Sequence, residues 1–205
     1  MLSELTITEF LSRTASSDPV PGGGSISALG AAISAALSEM VAALSIGRKG
    51  YESSKKEMME IIQKTRGLRE KLTKDIDRDS DAYSQVITAF RLPNDTEENK
   101  NRRRQAVQEG FKQAALIPLG VAKDASDLLN LAEKVVNRGN KNAVTDAAVA
   151  VMMARAAILG ALLNVKINLN SIKDKNFVED IKSQVQEIES TVEWKEKNIL
   201  AKIDL

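Results

Sequence analysis

SSKKEMMEIIQKTRGLREKLTKDIDRDSDAYSQVITAFR, residues 53–91, keeps a helical period over its whole length. Ile61, Leu68, Leu72, Ile76, Tyr83, Val86 and Phe90 recur at steps of three, four or seven, which places them on one face of an α-helix. Leu92-Pro93-Asn94-Asp95 stops that helix, and Asp95 or Thr96 supplies a cap for the next. The following helix reads to about Asn137, with Val107, Phe111, Ala114, Val121, Ala125 and Leu129 in phase. Pro118 falls inside it and is expected to kink it.

Working outward, Ser3–Arg13 reads as a short amphipathic helix and 16–24 as a loop, marked by Asp18-Pro19 and Pro21-Gly22-Gly23-Gly24. Ser25 is placed to cap a helix that runs to about Gly47. Gly47–Tyr51 and Arg138–Asn142 are polar turns, and 143–165 is a second helix rich in small residues. Residues 174–203 form a long amphipathic helix, with Ile181, Val185, Ile188, Val192 and Ile199 near heptad spacing. Val165–Leu169 alternates like a strand but has no partner in the sequence. The expectation is an all-α fold without a sheet: one bundle of about six helices, several of them long, as a single domain over 1–205.

Residues 28–46 and 143–165 are long enough to span a bilayer. Glu39 interrupts the first, and Asp146 and Arg155 the second, at a cost in lipid that favours buried helices of a soluble bundle. No membrane partner is expected. Small residues on most faces suit helices at the centre of an assembly, and the 174–203 seam asks for more cover than one bundle offers. Together they suggest a homodimer.

The composition narrows the chemistry. Hydrophobic residues make up 43 % of the chain and charged residues 28 %, as in ordinary globular proteins. A net charge of +1 argues against nucleic acid as a partner. There is no cysteine and no histidine, hence no thiolate, no imidazole base and neither of the commonest soft metal ligands. Catalysis falls to carboxylates, amines, hydroxyls, amides or the backbone, and no metal is expected. Met1–Phe10 lacks a basic stretch followed by an apolar run, so a cytoplasmic location is the expectation.

Asp79 is the most informative single residue. It falls in phase with Leu72, Ile76, Tyr83 and Val86, while Asp77 and Asp81 point away and Asp75 lies at the edge. A carboxylate on an apolar stripe is either paired with a lysine or arginine or kept for proton transfer, and burial raises its pKa toward a useful range. Glu39 shares a stripe with Ala28, Ala32, Ala35 and Ala43, where a salt bridge is the natural role. Asp146 near a helix start reads first as charge–dipole stabilisation. Gly22, Gly23 and Gly24 are more glycine than a cap needs, which fits close approach of backbone to a flat or anionic ligand. The run Arg102–Arg104 is either a solvated face or an anion-binding patch.

Pro21-Gly22-Gly23-Gly24-Ser25 at the mouth of a small-residue helix resembles the signature loop of the formimino-tetrahydrofolate cyclodeaminase family, which includes methenyl-tetrahydrofolate cyclohydrolases. Further blocks follow in the same order: Gly47-Arg48-Lys49-Gly50-Tyr51, Asp79-Ser80-Asp81-Ala82-Tyr83, Arg91-Leu92-Pro93 and Ile117-Pro118-Leu119. Gly139-Asn140-Lys141-Asn142-Ala143-Val144-Thr145-Asp146 and Asn164-Val165-Lys166-Ile167-Asn168-Leu169 complete the set. The resemblance implies an all-α homodimer with a folate site near the subunit contact. The implied reaction closes 5-formimino- to 5,10-methenyl-tetrahydrofolate with loss of ammonia, or interconverts the methenyl and 10-formyl forms. It implies no cofactor beyond the folate itself.

Carried onto this chain, the resemblance makes Asp79 and Asp146 the catalytic candidates. The substrate-binding candidates are Pro21, Gly22, Gly23, Gly24, Ser25, Arg48, Lys49, Tyr51, Tyr83, Asn140 and Asn142. Gly22–Ser25, Arg48–Tyr51, Asp79 and Asn140–Asp146 are expected to converge on one cleft, within a chain or across two.

Overall fold

The structure, a computed structural model, describes residues 1–204. The helices are α1 (Ile7–Thr14), α2 (Gly23–Ala43), α3 (Lys55–Phe90), α4 (Glu97–Arg138), α5 (Val144–Leu169) and α6 (Lys175–Leu200). Short 3-10 turns occupy Leu2–Glu4, Glu52–Ser54 and Lys141–Ala143, and no strand occurs among the described residues. The all-α expectation holds, and Val165–Leu169 is the last stretch of α5.

α2, α3, α4 and α5 form a four-helix bundle in which each helix runs opposite to the one before it, as short connections require. The register is set by polar pins. Ser25 Oγ donates to Ile76 O between α2 and α3, and Ser34 Oγ to Ala150 O between α2 and α5. Glu57 pairs with Lys134 and Arg138 between α3 and α4. α6 returns along α5, tied by Lys166–Glu189 and Arg155–Glu196.

The main apolar core runs from Leu2 through to Ile199, and a smaller cluster of Ala82, Val86 and Ala114 lies between α3 and α4. Ala28, Ala31 and Ala35 of α2 and Ala147, Ala154 and Ala161 of α5 are buried, so these two axes lie close. A Cβ at Gly160 would stand 2.6 Å from Ser27 Oγ, which is why the approach needs glycine there. The two membrane-length stretches are thus central helices, but about half of each is uncovered: 56 % of the apolar window is buried in α2 and 44 % in 141–169. Ile26, Ile33, Met40 and Leu44 on α2 and Val149, Met152, Leu163 and Ile167 on α5 are exposed.

Several local expectations are corrected. α1 begins at Ile7, not Ser3, because Thr6 and Glu9 form a capping box; Ser3 instead binds Asp77 of α3. The N-cap of α2 is Gly22 rather than Ser25, which lies one turn inside and is fully buried. Asp75 is not at an edge but 1 % exposed, held by Lys71 and Arg78. α3 packs on both α2 and α4, so its buried arc is wider than one stripe. Tyr83 and Phe90, read as stripe residues, are 40 % and 45 % exposed, because the end of α3 and the start of α4 overhang the start of α2.

Candidate functional site

The site begins at a steric fact. A Cβ on Gly24 would lie 2.0 Å from Asp79 Oδ1, so the carboxylate of α3 occupies the space a side chain would take at the start of α2. Gly22 offers α2 no side-chain cap, and the Asp79 carboxylate stands at that end of the helix instead. Ser25 Oγ lies 3.1 Å from Asp79 Oδ2 and 2.9 Å from Ile76 O. A hydroxyl has one proton, so Ser25 serves one acceptor at a time, and a protonated Asp79 donates to Ser25 while Ser25 donates to Ile76. Burial pushes the Asp79 carboxyl above the ordinary aspartate value, and the Ser25 hydroxyl and amide pull it back only in part.

Two amides complete the wall. Asn164 of α5 sits against Gly23, whose Cβ would lie 3.0 Å from Asn164 Nδ2. One turn on, Asn168 Nδ2 donates to Asn164 O at 2.8 Å and to Ala114 O at 2.9 Å. Ala114 is the residue whose carbonyl would normally accept from the amide at 118, and position 118 is proline. Pro118 does not end α4; its missing N–H frees a carbonyl, and Asn168 takes it. With both Nδ2 protons spent on backbone, the atom Asn168 has left for a ligand is Oδ1. Asp79, Tyr83, Ala114, Asn164, Asn168 and the three glycines line a cavity of about 90 Å³ that opens to the surface. That is well below the roughly 300–1,000 Å³ of a small-molecule pocket.

The other predicted residues stand at the opposite end of the bundle. α2 is 21 residues long, so its two ends are about 31 Å apart. Asn140 accepts from the Asn142 amide, donates its Nδ2 to Leu44 O, and its own amide donates to Ser45 Oγ at 2.8 Å. Tyr51 Oη accepts from the Lys141 amide at 2.9 Å. Arg48, Lys49 and Asn142 are exposed, and Asp146 is half-buried in the first turn of α5. Within one chain, therefore, Gly22–Ser25, Asp79 and Tyr83 converge, and Arg48–Tyr51 and Asn140–Asp146 converge separately. Pro21 is buried beside the first group. Glu39 is the half-buried salt bridge expected, with Arg66 and Arg69. Asn164 and Asn168 are not among the expected site residues; two asparagines one turn apart on a mostly apolar helix are the signal the sequence carries.

A desolvated carboxyl beside a hydroxyl, two amides and a glycine-lined helix start is chemically able to hold or move a proton. Residues 6–187 fit the family model described as formiminotransferase-cyclodeaminase, and the chain belongs to that family. It is 39 % identical over 180 residues to the methenyltetrahydrofolate cyclohydrolase of Methylorubrum extorquens, covering 88 % of this chain and 86 % of that one. It is 32 % identical over 179 residues to the formimidoyltransferase-cyclodeaminase of Sus scrofa, of which the match spans only 33 %. The crystal structure of formiminotetrahydrofolate cyclodeaminase from Thermotoga maritima superposes with a TM-score of 0.89 at 29 % identity, covering 99 % of this chain and 98 % of that one.

Proposed function

We propose that the protein acts on the one-carbon bridge of tetrahydrofolate, closing 5-formimino- to 5,10-methenyl-tetrahydrofolate with release of ammonia. The observation that carries this is Asp79, the desolvated carboxyl at the glycine end of α2. N10 attacks the formimino carbon and the N10–C bond forms. The formimino group enters protonated, as an amidinium; Asp79 takes the proton from N10 and returns it to the formimino nitrogen, which leaves as ammonia as the C–N bond breaks, and the positive charge remains on the methenyl bridge. The resulting carboxylate faces that cation and stabilises it. Asn164 and Asn168 present amides to the pterin edge. No cofactor or metal enters this scheme.

A second reading has its own support, in the 39 % identity to a cyclohydrolase over most of both chains. There Asp79 takes a proton from water as it adds to the methenyl carbon, the C–N5 bond breaks, N5 receives that proton, and 10-formyl-tetrahydrofolate leaves with one net proton released. Absorbance at the methenyl chromophore separates the two. Its growth from 5-formimino-tetrahydrofolate with ammonia release supports the deaminase; decay of added methenyl-tetrahydrofolate supports the hydrolase. No rate above the uncatalysed one with either substrate overturns the proposal.

The functional unit is a homodimer in this reading. A 90 Å³ recess lacks a wall, and the exposed stripe Ile26, Ile33, Met40, Leu44 with Val149, Met152, Leu163 and Ile167 is the place where a second copy supplies it. A two-fold axis crossing α2 at right angles would set Arg48–Tyr51 and Asp146 of one copy beside Gly22–Ser25 of the other. Burying both apolar helices this way goes with a soluble, cytoplasmic protein. Light scattering of Ile33→Asp checks it: the expected mass halves and turnover falls with it.

A further inference from the structure

We propose that the recess beside Asp79 is a pocket for the departing nitrogen of the substrate, and that Asn168 selects that nitrogen by accepting a hydrogen bond from it at Oδ1. The inference rests on the folate reading above and deepens it: the recess takes the one-carbon unit carried on N5, not a ring. Volume sets the first limit. About 90 Å³ is room for roughly three water molecules, enough for a substituent of a few heavy atoms and too little for a pterin.

The polarity of the Asn168 amide is fixed from behind. An asparagine side chain carries two N–H donors and one acceptor oxygen, and which end meets a ligand normally depends on the ligand. Here both Nδ2 protons are committed, to Asn164 O at 2.8 Å and to Ala114 O at 2.9 Å. Pro118 enforces the second commitment. With no amide proton at 118, the carbonyl of buried Ala114 has no helical partner, and it would stand bare if the Asn168 amide turned round. Asn168 therefore lines the recess with Oδ1 as its free polar atom, an acceptor only. Asn164 differs. One of its Nδ2 protons goes to Gly160 O at 2.8 Å, which leaves it a proton as well as Oδ1, so this amide adapts to either polarity.

A fixed acceptor that shares a small recess with a desolvated carboxyl suits a group that is an N–H donor throughout the reaction. The formimino nitrogen is such a group at every stage: amidinium in the substrate, amine once N10 has added, ammonia as it leaves. A formyl oxygen in the same place has no proton, and its lone pairs would meet those of Oδ1. The two N5 substituents are nearly equal in size and opposite in hydrogen-bond polarity, so the recess separates them by polarity and not by shape.

Turnover of 5-formimino-tetrahydrofolate, with 5-formyl-tetrahydrofolate as competing inhibitor, tests this. In the wild type the inhibition constant of the 5-formyl compound is expected to exceed the KM of the formimino substrate by roughly 10–100-fold. Asn168→Leu alone strands Ala114 O and should lower the melting temperature. The telling variants therefore also carry Pro118→Ala, which gives that carbonyl back its helical partner. In that background Asn168→Leu should recover the melting temperature yet lose about tenfold of the discrimination, with a lower kcat. Asn168→Asp in the same background keeps an acceptor at 168 and should keep the discrimination. Equal constants in the wild type, retained discrimination with Asn168→Leu, or the same loss with Asn168→Asp overturns the nitrogen pocket. So does a wild type that converts methenyl- but not 5-formimino-tetrahydrofolate, which leaves the folate reading standing. No turnover of either substrate overturns that reading as well.

Discussion

At one end of the bundle the loop 44–51 and the turn 138–143 meet; at the other, Gly22–Ser25 meets Asp79, Asn164 and Asn168. Both ends are dense in the motifs that mark the family, yet they treat polar groups in opposite ways. Asn140 spends its amide, its Nδ2 and its Oδ1 on neighbouring protein atoms, and Tyr51 gives its hydroxyl to a backbone amide. Asp79 has only Ser25, through its amide and a hydroxyl shared with Ile76 O, and is left with a raised pKa beside open space. A motif residue whose hydrogen bonds are all closed holds the fold. One left partly open has hydrogen-bonding capacity free to meet a ligand.

The sharpest way to break this contrast is Asp79→Asn, which keeps the shape and removes the titratable proton. Turnover should fall roughly 10²–10⁴-fold with circular dichroism unchanged. A near-wild-type rate would move the chemistry away from this end. Next is Gly24→Ala, whose new Cβ takes the place of the Asp79 carboxylate. The clash is with the tip of a side chain, which swings away, so the melting temperature stays near wild type. The displaced carboxyl should cost on the order of 10²-fold in rate. Asn140→Ala tests the other end. It should cost about 1–2 kcal/mol in urea unfolding and leave the kcat of the folded protein nearly intact. A loss of rate without a loss of stability would make that end catalytic.

The smallest effect is in pH. Asp79 has its pKa raised by burial, so its neutral form is the one the fold prefers. Its contribution to stability is full below the unfolded-chain value and is lost as pH rises through the raised folded value. Asp79→Asn stays neutral throughout. It should therefore melt above wild type at pH 7, with the gap closing on acidification toward about pH 4. A gap that widens in acid would reverse the assignment.

The helices were legible because their periods are long, and Asp79 because it interrupts an apolar stripe. Asp75 departs from its expected edge position because one helical period shows one face, whereas α3 is covered by two helices. The convergence of four motif blocks was expected on one cleft; chain order carries no length, and α2 separates its own two ends by its full span. Asn164 and Asn168 were hidden for another reason. α5 is apolar almost all round, so its sequence does not say which side meets α4.

Pro118 is commonly read as a weak point in a helix. Here the acceptor it uncovers at Ala114 fixes the longitudinal position of α5 against α4. Sliding α5 by one residue would turn the amide at 168 about 100° away and strand a carbonyl in the interior. Alanine-rich surfaces are smooth and slide easily, and the cores of α2 and α5 are largely alanine. The absent proton at position 118 thus acts as an index mark, and the recess beside Asp79 inherits its dimensions from it.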